Sequence, residues 1–100
     1  MTRFRLSRRA GEDLATIHGY IASQNQSAAD RLIREFFHLF HLLAKNSAMG
    51  EQRSDLRPNL RIMSHANHAV CFYPMQDGIE VVTVLHGSRD IEALFRENTD

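Results

Sequence analysis

Apolar and polar residues alternate over Phe4-Arg5-Leu6, the period of a half-buried strand. The period then lengthens. Ala10, Leu14, Ile17 and Ile21 recur at spacings of 4, 3 and 4, which predicts an amphipathic helix over about residues 8–24. Ser7 suits its N-cap, because a serine oxygen accepts one of the orphan N–H groups of a first turn. Gly11 and Gly19 weaken this helix without breaking it. Asn25-Gln26 reads as a turn, and Ser27-Ala28-Ala29-Asp30 reads as a capping box with Asp in place of Glu. A second helix then runs to about Lys45, with Ala29, Leu32, Ile33, Phe36, Phe40 and Leu43 on its main stripe. Phe37, Leu39 and Leu42 widen that stripe, so this helix needs a second contact besides a sheet. Two helices joined by so short a turn form an antiparallel hairpin.

Residues 46–59 read as a loop broken by Gly50 and Pro58. Three strands follow, Leu60–Ser64, Ala69–Tyr73 and Ile79–His86, with turns near Ala66-Asn67 and at Gln76-Asp77-Gly78. Strands this close in sequence pair as an antiparallel meander, and Pro74, which lacks an N–H, belongs at a strand end. A short helix from Asp90 to about Arg96 closes the chain, with Asp90 as its N-cap. The order β-α-α-β-β-β-(α) is that of an α+β domain, a helical hairpin packed on one face of a small, mainly antiparallel sheet. In the last strand, strict alternation puts Ile79, Val81, Thr83 and Leu85 on one face and Val82, Val84 and His86 on the other. Both faces are largely apolar, yet one hairpin covers only one of them. The other is expected to be an open groove for a partner, unless the C-terminal segment folds back over it.

A chain of 100 residues makes one domain, residues 1–100, with a modest core. Its 43% hydrophobic and 24% charged residues are ordinary for a globular protein. No apolar run approaches the ~20 residues that span a bilayer, and the first residues lack the apolar stretch of a secretory signal. Cys71 is the only cysteine, so no internal disulfide forms and a reducing cytoplasm is the expected location. Net charge is zero, but eleven of the twelve basic residues are arginine, the side chain suited to two-point pairing with carboxylates and phosphates. Residues 1–9 carry four arginines and no acid, and residues 53–61 carry Arg53, Arg57 and Arg61 against Asp55. Residues 89–100 are acidic on balance. This distribution gives either solvated charge or an arginine surface for an acidic partner.

Val81-Val82-Thr83-Val84-Leu85-His86-Gly87-Ser88-Arg89-Asp90 runs a buried-looking strand into a polar turn, a place where small proteins carry working residues. Metal-independent RNA cleavage needs a base, cations on the phosphate and an acid for the leaving oxygen. Arg57, Arg61 and Arg89 supply cations and His86 an acid or base, which is a partial set. The structural alternative has His86 bonding backbone at the strand end and Arg89 pairing with Asp90 or a loop carbonyl. His65 with His68, and His38 with His41, lie three apart but lack an evident third metal ligand, so surface histidines are expected and no metal or other cofactor is assigned. Cys71, in a central strand, reads as a small core residue.

Several ordered fragments together carry a family resemblance. Leu6-Ser7-x-x-Ala10-x-x-Asp13-Leu14-x-x-Ile17 opens the set, followed by Tyr20-Ile21-Ala22 with Ala28-Ala29-x-Arg31. Leu43-Ala44, Met49-Gly50 and Arg53, Leu60-Arg61, Phe72-Tyr73 and Val84-Leu85-His86-Gly87-x-Arg89-Asp90 complete it. In this order they resemble the ParE branch of the ParE/RelE toxin superfamily over about residues 3–95. The chain departs from that pattern at Asn46-Ser47-Ala48, which lacks a proline, at the histidine pair of Ser64-His65-Ala66-Asn67-His68, and at Pro74. The resemblance implies the toxin of a type II toxin–antitoxin system, a growth inhibitor that poisons DNA gyrase. A cognate ParD-like antitoxin would neutralise it in a hetero-oligomeric complex. The expected antitoxin-binding residues are Val82, Val84, His86, Arg57, Arg61 and Arg89. Two alternatives stay open. One is a ribosome-dependent mRNA endonuclease of RelE type using Arg61, His86 and Arg89, and the other is a non-toxic member that keeps only antitoxin binding. Direct contact with nucleic acid is left open.

Overall fold

The computed structural model describes residues 2–87 and 91–97. Its elements are β1 (Arg3–Leu6), α1 (Arg8–Ala22), α2 (Gln26–Lys45), β2 (Glu51–Gln52), β3 (Arg61–His65), β4 (His68–Met75), β5 (Gly78–His86) and α3 (Ile91–Glu97). The sheet order is β1-β5-β4-β3-β2. The β3–β4–β5 meander is antiparallel, and the first strand lies parallel to the last, with Phe4 beside Ile79 and Leu6 beside Val81. This is the expected α+β architecture with one strand added. The two-residue β2 sits inside the stretch read as loop and pairs with Arg61 and Ile62. A two-residue strand has no periodicity to read.

Ser7 caps α1 by accepting from Ala10 N at 3.0 Å. The cap of α2 is Asn25, whose side chain accepts from Ala28 N at 3.0 Å, and Ser27 lies inside the first turn. The capping-box reading is therefore displaced by two residues, and Asp30 bonds His18 and Gln26 instead. The expected N-cap Asp90 lies outside the described residues. The second contact demanded by the wide stripe of α2 comes from α1 and from β1, where Phe4 meets Phe37 and Phe40 at centroid distances of 5.6 and 5.3 Å.

Two tight turns set the registers. His65 and His68 flank a two-residue hairpin in which Ala66 and Asn67 both have left-handed backbones, φ 49° and 65°. This pair of values is that of a type I′ turn, whose twist matches the flanking strands. Gly78 has φ 149°, and a Cβ there would stand 1.6 Å from the Arg3 carbonyl oxygen, so only glycine lets β1 approach β5.

The alternation expected in β5 fails at one point. Cys71 pairs with Thr83 and Phe72 with Val81, which leaves Val82 as an extra residue in a bulge. Before and after the bulge, Ile79, Val81 and Val84 face the helical hairpin and join Phe36, Phe40, Leu43 and Phe72 in the main core. Val82 and Leu85 face the other side. Burying each large side chain of this main core contributes about 1.5–3 kcal/mol.

The second face is not an open groove. Ile91 and Phe95 of α3 bury themselves against Leu60, Ile62, Ala69 and Cys71, with Val82, Leu85 and Leu94 at the margin. The C-terminal segment folds back over the apolar part of the sheet, because seven residues suffice to present two anchors at helical spacing. Partly buried Tyr73 also packs against this cluster, and the rest of that face carries Arg5 paired with Glu80, a solvated surface.

Candidate functional site

β1 is four residues long, so beyond Leu6 the outer edge of β5 has no strand beside it. Side chains of α1 complete that edge. Ser7 N donates to Val81 O at 2.9 Å, and Ser7 Oγ donates to Val82 O at 2.8 Å. Asp13 accepts from Val84 N at 3.0 Å and from the Thr83 hydroxyl, which also accepts from Arg9 Nε at 3.3 Å. The bulge is thus held by three polar side chains, the N-cap Ser7 and Arg9 and Asp13 of the first half of α1. Ser7 and Asp13 stand in the opening sequence motif, but their shared role was invisible there because it depends on a strand some seventy residues away.

Of the six residues expected to contact a partner, the five that are described do not form one surface. Val84 is 3% exposed, beneath the helical hairpin, and so offers nothing to a partner; its grouping with Val82 was undone by the bulge. Val82 is half-buried on the opposite face, in a small cleft shared with Arg9, Arg57, Leu94 and Phe95. The Arg57 guanidinium lies 5.9 Å from the centroid of the Phe95 ring, a cation–π arrangement, and its Nη1 donates to Leu56 O. Arg61 Nη1 donates to Gly50 O at 2.7 Å. His86 is exposed at the end of β5, and Arg89 lies outside the described residues.

Arg61 and His86 are far apart. Arg61 is at the start of β3, and the register aligns His86 with His68 and His68 with His65, four residues further along β3. Four residues and two strand spacings separate the Cα atoms by on the order of 16 Å. With the Arg61 guanidinium held on Gly50 O, this arrangement does not gather the two side chains on one phosphate.

The register adds His86 to the His65–His68 pair seen in the sequence and so builds a row of histidines. His65, His68 and His86 stand side by side on three neighbouring strands, and the His68 and His86 rings meet edge to face at 5.1 Å. His65 Nε2 is 2.9 Å from Glu35 of α2, and His68 Nδ1 is 2.8 Å from Ala66 O. Burial, with the neighbouring charges of His86 and His65, lowers the His68 pKa, while its bond to Ala66 opposes the shift. Among the described residues no group of three or more His, Cys, Asp or Glu side chains is placed to hold a metal ion. The α1–α2 hairpin overhangs this sheet end and encloses an apolar cleft of about 600 Å³ lined by Ile17, Tyr20, Ile21, Leu32, His68 and His86. Gly87 N donates to Asn67 O at 2.7 Å and ties the end of β5 to the turn that floors the cleft.

Cys71 is fully buried, and burial with the nearby Asp13 charge pushes its thiol up to about 12, so it is an inert core residue as expected. The basic N-terminal front is largely neutralised within the fold. Arg3 pairs with Asp77, Arg5 with Glu80, Arg8 with Glu12 and Arg9 with Asp13. Arg53 bonds both oxygens of Asp55 and reaches Glu92 of α3 at 3.7 Å. The arginines that looked available in the sequence are occupied by acids, half of them remote along the chain and half within four residues.

Residues 4–91 match the family model described as "ParE toxin of type II toxin-antitoxin system, parDE". The fold is similar to a solved chain titled "Chromosomal ParDE TA system from P. aeruginosa", with a TM-score of 0.73 over 88% of this chain and 98% of that one. Sequence identity to it is 15%, so the likeness is one of fold. No curated relative matches the sequence. The family match spans both the Ser7–Asp13 clamp on the bulge and the His86 end of the sheet, and on it the chain belongs to the ParE toxin family of type II toxin–antitoxin systems.

Proposed function

We propose that this protein inhibits growth by binding DNA gyrase and trapping it on cleaved DNA, and that a cognate ParD-like antitoxin neutralises it in a cytoplasmic hetero-oligomeric complex. Family membership supports the toxin–antitoxin setting. The choice of a binding mechanism over RNA cleavage rests on one observation, the separation of Arg61 from His86. The pair offered as phosphate cation and general acid sits at opposite ends of the sheet, two strands apart, and the Arg61 guanidinium is already bonded to Gly50 O. A nuclease centre needs these groups within hydrogen-bond reach of one phosphate. For the antitoxin contact we retain Val82, Arg57 and His86, which border the α3 face and the sheet end, and Arg89 by its position in sequence. Val84 is withdrawn because it is buried, and Arg61 because its head group is engaged.

Purified toxin incubated with gyrase and supercoiled plasmid is expected to accumulate cleaved DNA or block supercoiling, and to lose that effect when antitoxin is added. No effect at stoichiometric excess removes gyrase as the target. Primer extension on translated mRNA covers the other reading: new 5′ ends that vanish with His86→Ala would reinstate cleavage.

A further inference from the structure

The exposed side of α2 carries a run of basic residues. Arg31, Arg34, His38 and Lys45 follow one another at helical spacing along its exposed side. The acid beside them, Glu35, is engaged by His65 at 2.9 Å and by Arg31 at 3.9 Å. Arg34 and Lys45 have no ion pair within 4 Å among the described residues. This contrasts with Arg3, Arg5, Arg8 and Arg9, each of which has its own carboxylate. With Glu35 shared between Arg31 and His65, the stripe keeps a local positive excess through Arg34 and Lys45 in a chain whose net charge is zero.

Beside the stripe runs an apolar groove of about 380 Å³, floored by Leu39 and by Leu42, which is 39% exposed. Its far wall is β3. β2 pairs only with Arg61 and Ile62, so Met63, Ser64 and His65 have no strand on their outer side among the described residues. Arg53 N donates to Leu60 O on that outer side, and alternate residues of a strand address the same edge, so Ser64 presents its N–H and C=O outward. Charge, apolar floor and unpaired backbone therefore converge on one strip between α2 and β3.

We propose that this strip is a docking track for an extended acidic segment of the antitoxin, which adds to the open edge of β3 at Ser64. Its carboxylates would meet Arg31 and Arg34, and its apolar side chains would rest on Leu39 and Leu42. This rests on the reading that an antitoxin neutralises the protein. An extended segment fits better than a helix because alternate side chains of a strand reach the groove while its backbone pairs with Ser64. Acidic residues fit because rim carboxylates opposite Arg31 and Arg34 steer encounter and fix register.

The test titrates purified toxin with its cognate antitoxin. The double variant Arg31→Glu/Arg34→Glu changes two exposed side chains, and its thermal melt checks that it folds. Binding is expected to weaken about tenfold or more and to lose most of its salt dependence. Leu42→Glu should weaken it independently, and amide exchange at Ser64 should slow in the wild-type complex. Unchanged affinity in both variants, or unprotected Ser64 in a formed complex, overturns the docking track while leaving antitoxin binding intact. Failure of the wild-type toxin to bind the antitoxin sinks both readings.

Discussion

The Asp13 carboxylate holds the bulge of β5, and removing it should be costly. It accepts from Val84 N at 3.0 Å and from the Thr83 hydroxyl, and it lies 4.0 Å from Arg9 Nε. Asp13→Ala leaves the Val84 N–H facing α1 with nothing to bond and leaves the Thr83 hydroxyl without its acceptor. Each stranded buried donor costs about 1–3 kcal/mol. The Asp13 side chain is 21% exposed, so water reaches part of the vacated site and the lower part of that range applies. A total of about 2–3 kcal/mol follows, a large share of the ~5–15 kcal/mol that stabilises a domain of this size. At roughly 4–8 °C per kcal/mol, Tm should fall by about 8–24 °C. Asp13→Asn keeps one acceptor oxygen and should cost about half as much. Thermal melts of Asp13→Ala, Thr83→Val and the double variant close a cycle, and the coupling between the two sites should be about 0.5 kcal/mol or more. A Tm for Asp13→Ala within about 3 °C of wild type would refute the clamp, because the bulge would then hold itself.

Ala66 occupies a left-handed position at φ 49°, which penalises any side chain with a Cβ, so Ala66→Gly should stabilise the fold by about 0.5–1 kcal/mol, measured as an increase in denaturation midpoint. The lowered pKa of His68 means that the unfolded chain binds more protons than the folded one as pH falls through about 6.5. Stability should therefore rise with pH across that window and fall on acidification, and His68→Leu should flatten the dependence seen in melts between pH 5 and 7. Phe95→Ala should cost about 3 kcal/mol and unlock α3. Cys71, fully buried and held as a thiol, should then react with a thiol reagent at neutral pH, and equal reactivity in wild type would show that α3 does not seal that face.

The element order was legible because most of it is written locally. The 3–4 spacing from Ala10 to Ile21 and the Ser7 cap needed no knowledge of the rest of the chain. Three of four failures share one cause, dependence on distant partners. The bulge at Val82 appears only when β4 is laid beside β5, and it moved Val84 from the expected outer face to the core. The cover supplied by α3 is two anchors on a seven-residue helix, too short to outweigh the apolar pattern of the strand it hides. The arginines at the N-terminus looked free because Asp77 and Glu80, which engage Arg3 and Arg5, lie over seventy residues away. His86 was left out of the histidine row for the same reason, since strand register brings it beside His68.

The pairing of the first strand with the last also sets a clock. β1 has only β5 as its neighbour in the sheet, and their parallel pairing joins residues 3–6 to residues 78–81. During synthesis β1 emerges early and waits without a mate. At roughly 5–20 residues per second, the ribosome needs roughly 4–16 s to travel from the end of β1 to the end of β5. Through that interval the α1–α2 hairpin can form, but the sheet it packs on does not yet exist, and closing so long a loop is itself slow. The native surface therefore arrives all at once, only after β5 has emerged. A partner already present in the cell meets each new molecule as it first becomes able to act.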